Sequence, residues 1–330
     1  MTSDATVGPA TATDRESASG RLDGVRVLNL VPKSVPFFRN QVSALEARGI
    51  EQTTVEVPGR RTATDGRSVG HYLRYYPMVL RARPWQYDIV HANFGLTAPF
   101  ALAQWQRPVV LSLWGSDLMG DLGWVGKYCA RFADETIVMS DEMYDALGVA
   151  DAHVIPHGTD LDRFRPIPKR EARRRVGWRE EGLHVLFPYS PERSVKNYPL
   201  ADEVVTATAE RLDEQVELHA ITGVDHAEIP YYMNAADALV FTSDREGSPN
   251  VVKEAMACNC PVVSRDVGDV RELLDGVRRA AVAENDEDLP RLLAEILTSD
   301  EQNDGRDHVQ HLSLDHVADR LVEVYRQALA

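Results

Sequence analysis

Glu246 and Glu254 stand eight residues apart in DREGSPNVVKEAMACNCPVVS, with Gly247-Ser248-Pro249-Asn250 between them. An ionised carboxylate accepts hydrogen bonds on both oxygens, so either side chain suits a vicinal diol. The pattern predicts a strand ending at Ser243, Ser248 as a helix N-cap, and Pro249 at the first helical position, where its missing N–H is harmless. The free amides of that first turn, at the positive end of the helix dipole, suit an anion, and Gly247 lets it approach the backbone. On a helical wheel Val251, Val252, Ala255 and Met256 share the buried face, while Asn250 and Glu254 share a polar flank. One diol clamp, an anion cradle and a second acceptor beyond it fit ribose, diphosphate and sugar in that order. The bare spacing also suits a capping device on a solvated face, so the surrounding residues decide. A diphosphate beside two carboxylates needs positive charge, and YSPERSVKN places Arg193 and Lys196 just after another strand.

The longer stretch FTSDREGSPNVVKEAMACNCPVVSRDVGDVRELL resembles the donor-site signature of glycosyltransferase family 4, retaining enzymes of the GT-B fold. VIPHGTDLDRFRP is similar to the family's interdomain segment, and IPYYMNAADALVFTS to the stretch entering the donor site. YDIVHANFG and LSLWGSDL match its acceptor-domain strands more loosely. The similarity runs from Val25 to the C-terminus and is closest from Ile155 to Leu274. It implies that Glu246 contacts the donor sugar near the reacting carbon and that Glu254 holds the ribose hydroxyls. Arg193 and Lys196 would bind the diphosphate and neutralise the leaving group, in place of a metal. Gly247, Ser248, Pro249, Asn250 and Val251 would form the turn against sugar and diphosphate, and Thr222 and Gly223 the edge of the base site.

The chain also departs from the family pattern. Asn259 replaces a common glycine, and Trp114 stands where many relatives carry histidine, which removes any imidazole at that place. Trp114 would instead stack on a sugar face. Asp117 has two readings, an acceptor-hydroxyl ligand or a helix N-cap. His91 is a candidate for the acceptor side of the cleft or a satisfied core histidine. The loop VPKSVPFFRN lacks the family's paired glycines and leaves Lys33 and Arg39 as candidate acceptor contacts.

The elements that must position these residues alternate. VRVLNLV, TTVEV, DIVHA, PVVLSL and ETIVMS read as buried strands separated by helical periods, and HVLFPY, VELHAI, ALVFTS, PVVS and RAAVAE repeat the alternation. The implied fold class is α/β, GT-B: two Rossmann-like doubly wound parallel-sheet domains facing across a cleft. The expected organisation is a disordered tail over 1–23, an acceptor-binding domain over 24–160, and a proline-bearing linker over 161–182. A nucleotide-sugar donor domain over 183–313 follows, then a helix over 314–330 returning to the N-terminal domain.

Composition narrows the class. The 330 residues, 44% hydrophobic, suffice for two cores. The net charge of −15 argues against nucleic-acid binding. Five lysines among 36 basic residues suit a salt-adapted or GC-rich source. Cys129, Cys258 and Cys260 suggest neither a disulfide framework nor a zinc site. No run reaches the roughly 18 apolar residues of a membrane span, and the N-terminus lacks a signal-peptide pattern, so a cytoplasmic protein is expected. Gly70–Asp88 interleaves Arg74, Arg81 and Arg83 with aromatics. It reads either as a membrane-surface contact near a lipid-linked acceptor at the inner face or as a helix packed on the sheet. Pro77 is expected to interrupt that helix.

Together these features predict a retaining, metal-independent hexosyltransferase without a cofactor. It would use a UDP- or GDP-linked sugar and a glycan, lipid-linked or small-molecule acceptor. A nucleotide-sugar epimerase on the same scaffold and a non-catalytic sugar-nucleotide-binding module are the alternatives.

Overall fold

The computed structural model describes residues 22–59 and 69–330. The tail expected over 1–23 therefore lies outside the described residues, apart from Leu22 and Asp23. One parallel sheet comprises β1 (Arg26–Val31), β2 (Glu51–Glu56), β3 (Ile89–Asn93), β4 (Val109–Ser112), β5 (Glu135–Val138) and β6 (His153–Val154). Its strand order is β2-β1-β3-β4-β5-β6. The second comprises β7 (Leu183–Phe187), β8 (Val216–Ala220), β9 (Ala238–Phe241), β10 (Val262–Arg265) and β11 (Ala280–Ala283), in the order β11-β10-β9-β7-β8. Central strands such as β3 and β4 are buried at every residue, as strands covered on both faces must be. TTVEV behaves differently: β2 is a sheet edge and largely exposed, so its β-branched residues do not mark a buried strand. β6, two residues beside the proline-rich segment, is too short to leave a periodic signal; Ile137 and Val138 of β5 fix its register.

In each sheet the chain order reverses once, between β1 and β3 and between β7 and β9. Loops leaving adjacent strands on either side of such a reversal diverge, and the crevice between them receives ligands.

The helices that matter for the site are α1 (Pro36–Glu46), α2 (Val69–Arg81), α3 (Lys169–Val176), α4 (Tyr198–Leu212), α5 (Asn250–Ala257) and α6 (Leu314–Leu329). α2 continues through Pro77, contrary to the expected interruption. The carbonyl that loses its partner belongs to exposed Leu73, which water can satisfy. The segment 161–182 is not a free linker, because α3 lies within it. Its buried Arg173 bonds the Ala235 carbonyl at 3.0 Å and the Asp237 carboxylate at 2.7 Å, which ties α3 to the second domain.

α6 packs on the first sheet. Ser313 Oγ caps it by accepting from His316 N at 3.2 Å. Val317, Leu321, Val322, Val324 and Tyr325 then enter the N-terminal core at helical spacing. Arg48 reaches Asp319 at 2.6 Å from α1's end. The end of the chain is thus part of the first domain's core.

Candidate active site

At the β7/β9 reversal, Lys196 leaves the β7 loop and donates to the Glu246 carboxylate of the β9 loop. Its ammonium sits 4.0 Å from the Tyr189 ring centroid, and the Arg193 guanidinium lies 5.2 Å from the same ring. Burial pulls Lys196 below the ordinary lysine value even though Glu246 opposes it. Burial also holds the Tyr189 hydroxyl well above its usual value; Glu246 and Glu254 push the same way, and Arg193 opposes. One ring thus feels all three of these charged groups. The two loops are stitched together by Thr242 Oγ1, which donates to the Lys196 and Asn197 carbonyls at 3.1 and 3.0 Å. Asp244 N donates to the Val195 carbonyl at 2.9 Å.

The helix start differs from its sequence reading. α5 begins at Asn250, Pro249 occupies the cap position, and no side chain caps the helix. Ser248 Oγ accepts instead from Lys253 Nζ at 3.2 Å. Lys253 is fully buried and also donates to the His157 carbonyl at 3.0 Å, linking the donor helix to the interdomain segment. Burial lowers Lys253 to about 8, while nearby Asp269 and Glu254 oppose the shift. Burial raises Asp269 to about 6. Glu254 Oε1 lies 3.1 Å from His226 Nε2. Thr222 and Gly223 are exposed on the loop that carries His226.

Glycines hold the Glu246–Gly247 backbone in place. A Cβ on Gly268, at φ +58, would fall 2.3 Å from the Gly247 carbonyl oxygen. A Cβ on Gly115 would lie 3.5 Å from the Gly247 nitrogen. Gly115 follows β4, so the two domains meet backbone to backbone at the loop bearing Glu246.

The N-terminal wall of this junction is aromatic. Trp114 contacts Phe37 edge-on at 5.0 Å, Phe94 at 6.0 Å and His157 at 5.5 Å, while Phe37 stacks on His157 at 4.0 Å. Phe37 and Phe94 follow β1 and β3, the strands of the other reversal. Trp114 therefore abuts the donor loop, its carbonyl 3.5 Å from where a Gly247 Cβ would stand.

Asp117 does something other than either of its sequence readings. Its buried carboxylate accepts from Gly95 N at 2.7 Å, Trp114 N at 2.8 Å and Gly115 N at 2.9 Å, joining the β3 and β4 loops. Burial pushes it up to about 6 against those three amides. His91 is not on the cleft side. It is fully buried, with Nδ1 2.8 Å from the Tyr325 hydroxyl and Nε2 2.8 Å from Ser112 Oγ, and burial lowers it to about 3. Both ring nitrogens are engaged in the core. Arg39, on α1, donates to the Ser34 carbonyl of the preceding loop at 2.5 Å.

Lys253, His157 and His226 carried no functional signal in the sequence. Four buried polar atoms around the start of α5 lack a partner: Ser243 Oγ, Asn250 Oδ1, Asp269 Oδ1 and His157 Nε2. Buried polar atoms are nearly always paired, so these four stand out among the described residues.

The family described as Glycosyltransferase Family 4 matches residues 23–163, and Glycosyl transferases group 1 matches residues 196–299. The teichuronic acid biosynthesis glycosyltransferase TuaC of Bacillus subtilis is 30% identical over 216 residues, covering 56% of this chain and 55% of that protein. The chain thus spans about half the length of that relative. A D-inositol 3-phosphate glycosyltransferase of Xylanimonas cellulosilytica is 26% identical over 310 residues, covering 75% of this chain and 73% of the relative. Among solved structures, Anabaena HepE in complex with UDP superposes with a TM-score of 0.66 at 18% identity, over 91% of this chain and 99% of HepE. The fold is thereby GT-B.

Proposed function

We propose that this chain, which belongs to the glycosyltransferases of family 4 and group 1 type, moves a hexosyl group from a nucleotide-diphosphate sugar to a glycan or lipid-linked acceptor. Transfer retains the anomeric configuration and needs no metal. The observation that carries this reading is the gathering of Arg193, Lys196, Glu246 and Glu254 at one strand-order reversal. Glu254 and His226 offer a ribose clamp, and Arg193 and Lys196 offer charge for a diphosphate. Glu246 stands beside them, next to the N-terminal domain.

In the reaction the bond from the anomeric carbon to the diphosphate oxygen breaks, and its electron pair leaves with the diphosphate. Lys196, held against Glu246 in the free chain, turns toward that developing charge. The acceptor hydroxyl bonds to the anomeric carbon on the same face, and its proton passes to a leaving phosphate oxygen. Trp114 offers an apolar face to a sugar ring, and the Gly115–Gly247 contact keeps water from the junction. UDP is the first nucleotide to test because HepE was solved with it.

No helix among the described residues is long and apolar enough to cross a membrane. Peripheral contact at the inner face is supported by exposed apolar surface. Ten of the eleven large exposed hydrophobic residues described lie between Leu73 and Phe132. Arg74, Arg81, Arg83 and Arg131 are exposed among them, in a chain of net charge −15. Trp105, Trp124, Tyr128 and Phe132 line an open groove of about 960 Å³ there.

The test is turnover of UDP- and GDP-hexoses in EDTA with glycan and lipid-linked acceptors, the product anomer being read by NMR. A transferred sugar of unchanged anomeric configuration supports the reading. An epimerised nucleotide sugar, or binding without turnover, replaces it with the corresponding alternative.

A further inference from the structure

A second cluster lies in the donor domain, on the strands that feed the donor loops but apart from the charged residues at their ends. His184 of β7 and Glu217 of β8 are register partners, and His219, two residues on, shares the face of Glu217. His184 Nδ1 and His219 Nε2 are 2.8 Å apart, and Glu217 Oε2 lies 3.6 and 3.5 Å from them. We propose that these three atoms form a binding site for a zinc-class divalent transition-metal ion.

The geometry carries the assignment. Atoms with those separations lie on a circle of radius about 1.9 Å, so a point ~2.05 Å from all three exists just out of their plane. That distance is the ordinary one for zinc bound to imidazole nitrogen or carboxylate oxygen. Two imidazoles and one carboxylate favour zinc, nickel or cobalt over magnesium or calcium, which prefer oxygen ligands throughout.

The surroundings orient each ligand. His184 Nε2 is 3.2 Å from the Glu181 carbonyl, so that nitrogen carries the proton and Nδ1 keeps its lone pair for the site. The other oxygen of Glu217 accepts from Arg179. Trp178 stacks on His219 at 3.8 Å and on His184 at 5.4 Å, fixing both rings. His219 and Glu217 are part-exposed, which leaves the fourth position open to water.

The ion would clip edge strand β8 to β7. Its expected effect is on stability, and it rests on no part of the transfer mechanism. The test strips tag-free protein with EDTA, dialyses it, and titrates ZnCl2 and CoCl2. The readouts are bound metal per chain, the visible spectrum of the cobalt form, and melting temperature. The expected result is one ion per chain and a rise of several degrees. His219→Ala and Glu217→Gln, both at part-exposed positions, should each abolish uptake with little change in the metal-free melting temperature. Wild-type protein that takes up no ion, or uptake that survives both substitutions, overturns the site.

Discussion

The two strand-order reversals of this chain use different chemistry. At β7/β9 the loops carry Arg193, Lys196, Glu246 and, one turn into α5, Glu254. At β1/β3 they carry Phe37 and Phe94, joined by Trp114 from the β4 loop. The one buried carboxylate among the described residues on that side, Asp117, is committed to three backbone amides. One scaffold used twice thus yields a charged wall and an aromatic wall that meet at Gly115 and Gly247. Charge and diol ligands suit a nucleotide diphosphate, whereas flat apolar rings suit a sugar face and leave hydroxyl recognition to other groups.

The comparison breaks most visibly at Lys196. Lys196→Ala should lower kcat by about 10²–10³ at saturating donor while acceptor KM changes little, because it removes charge aimed at the leaving diphosphate. Turnover within a few-fold of wild type would show that the charged wall is not the chemical one.

Next comes the backbone where the walls meet. Gly268→Ala places a methyl at a positive φ against the Gly247 carbonyl, so it should destabilise the chain by about 1–3 kcal/mol and raise donor KM. Urea unfolding and initial rates measure the two effects. Loss of stability without any donor effect would detach Gly268 from the site.

On the aromatic side Trp114→Ala should raise acceptor KM roughly 5- to 10-fold and leave nucleotide affinity unchanged, in line with the ~0.5–1.5 kcal/mol of a ring contact. A larger change in nucleotide affinity than in acceptor KM would erase the distinction between the walls.

A last effect, read as a slope against pH, concerns Lys253. Its folded value, about 8, is below the ordinary 10.5, so between these the unfolded chain binds the extra proton. Stability should therefore rise with pH from about 8 toward 10.5, and this part of the rise should vanish in Lys253→Met. Urea titrations of both proteins across that window check it; coincident profiles would place the proton elsewhere.

Much of the architecture was legible because most of these parallel strands leave apolar or β-branched runs: ten of the strands are visible in the sequence, and β6 is too short to be. The donor loops were legible through local spacing, since Glu246, Glu254, Arg193 and Lys196 each sit directly after a strand or inside the next helix. Long-range partners leave no such trace. Lys253 lies between valine and Glu254 on a helix, and only the packed structure sends its ammonium inward to His157. His91 stands on a strand in a pattern compatible with the cleft, yet the return of α6 brings Tyr325 onto it. His184, Glu217 and His219 become neighbours through strand register, across 33 residues of chain, so no local histidine spacing announces them.

The central claim, a nucleotide-diphosphate sugar bound at the β7/β9 reversal, is tested most directly by melting wild type and Glu254→Ala with UDP, GDP, ADP and their sugars. The panel is run in low and high salt without added metal. A ligand at a hundred times its dissociation constant stabilises by about 2.7 kcal/mol, which is readily seen. The account predicts that one nucleotide series stabilises the wild type and does so far less in Glu254→Ala. Stabilisation by none of them in either salt, or equal stabilisation of both proteins, would contradict it.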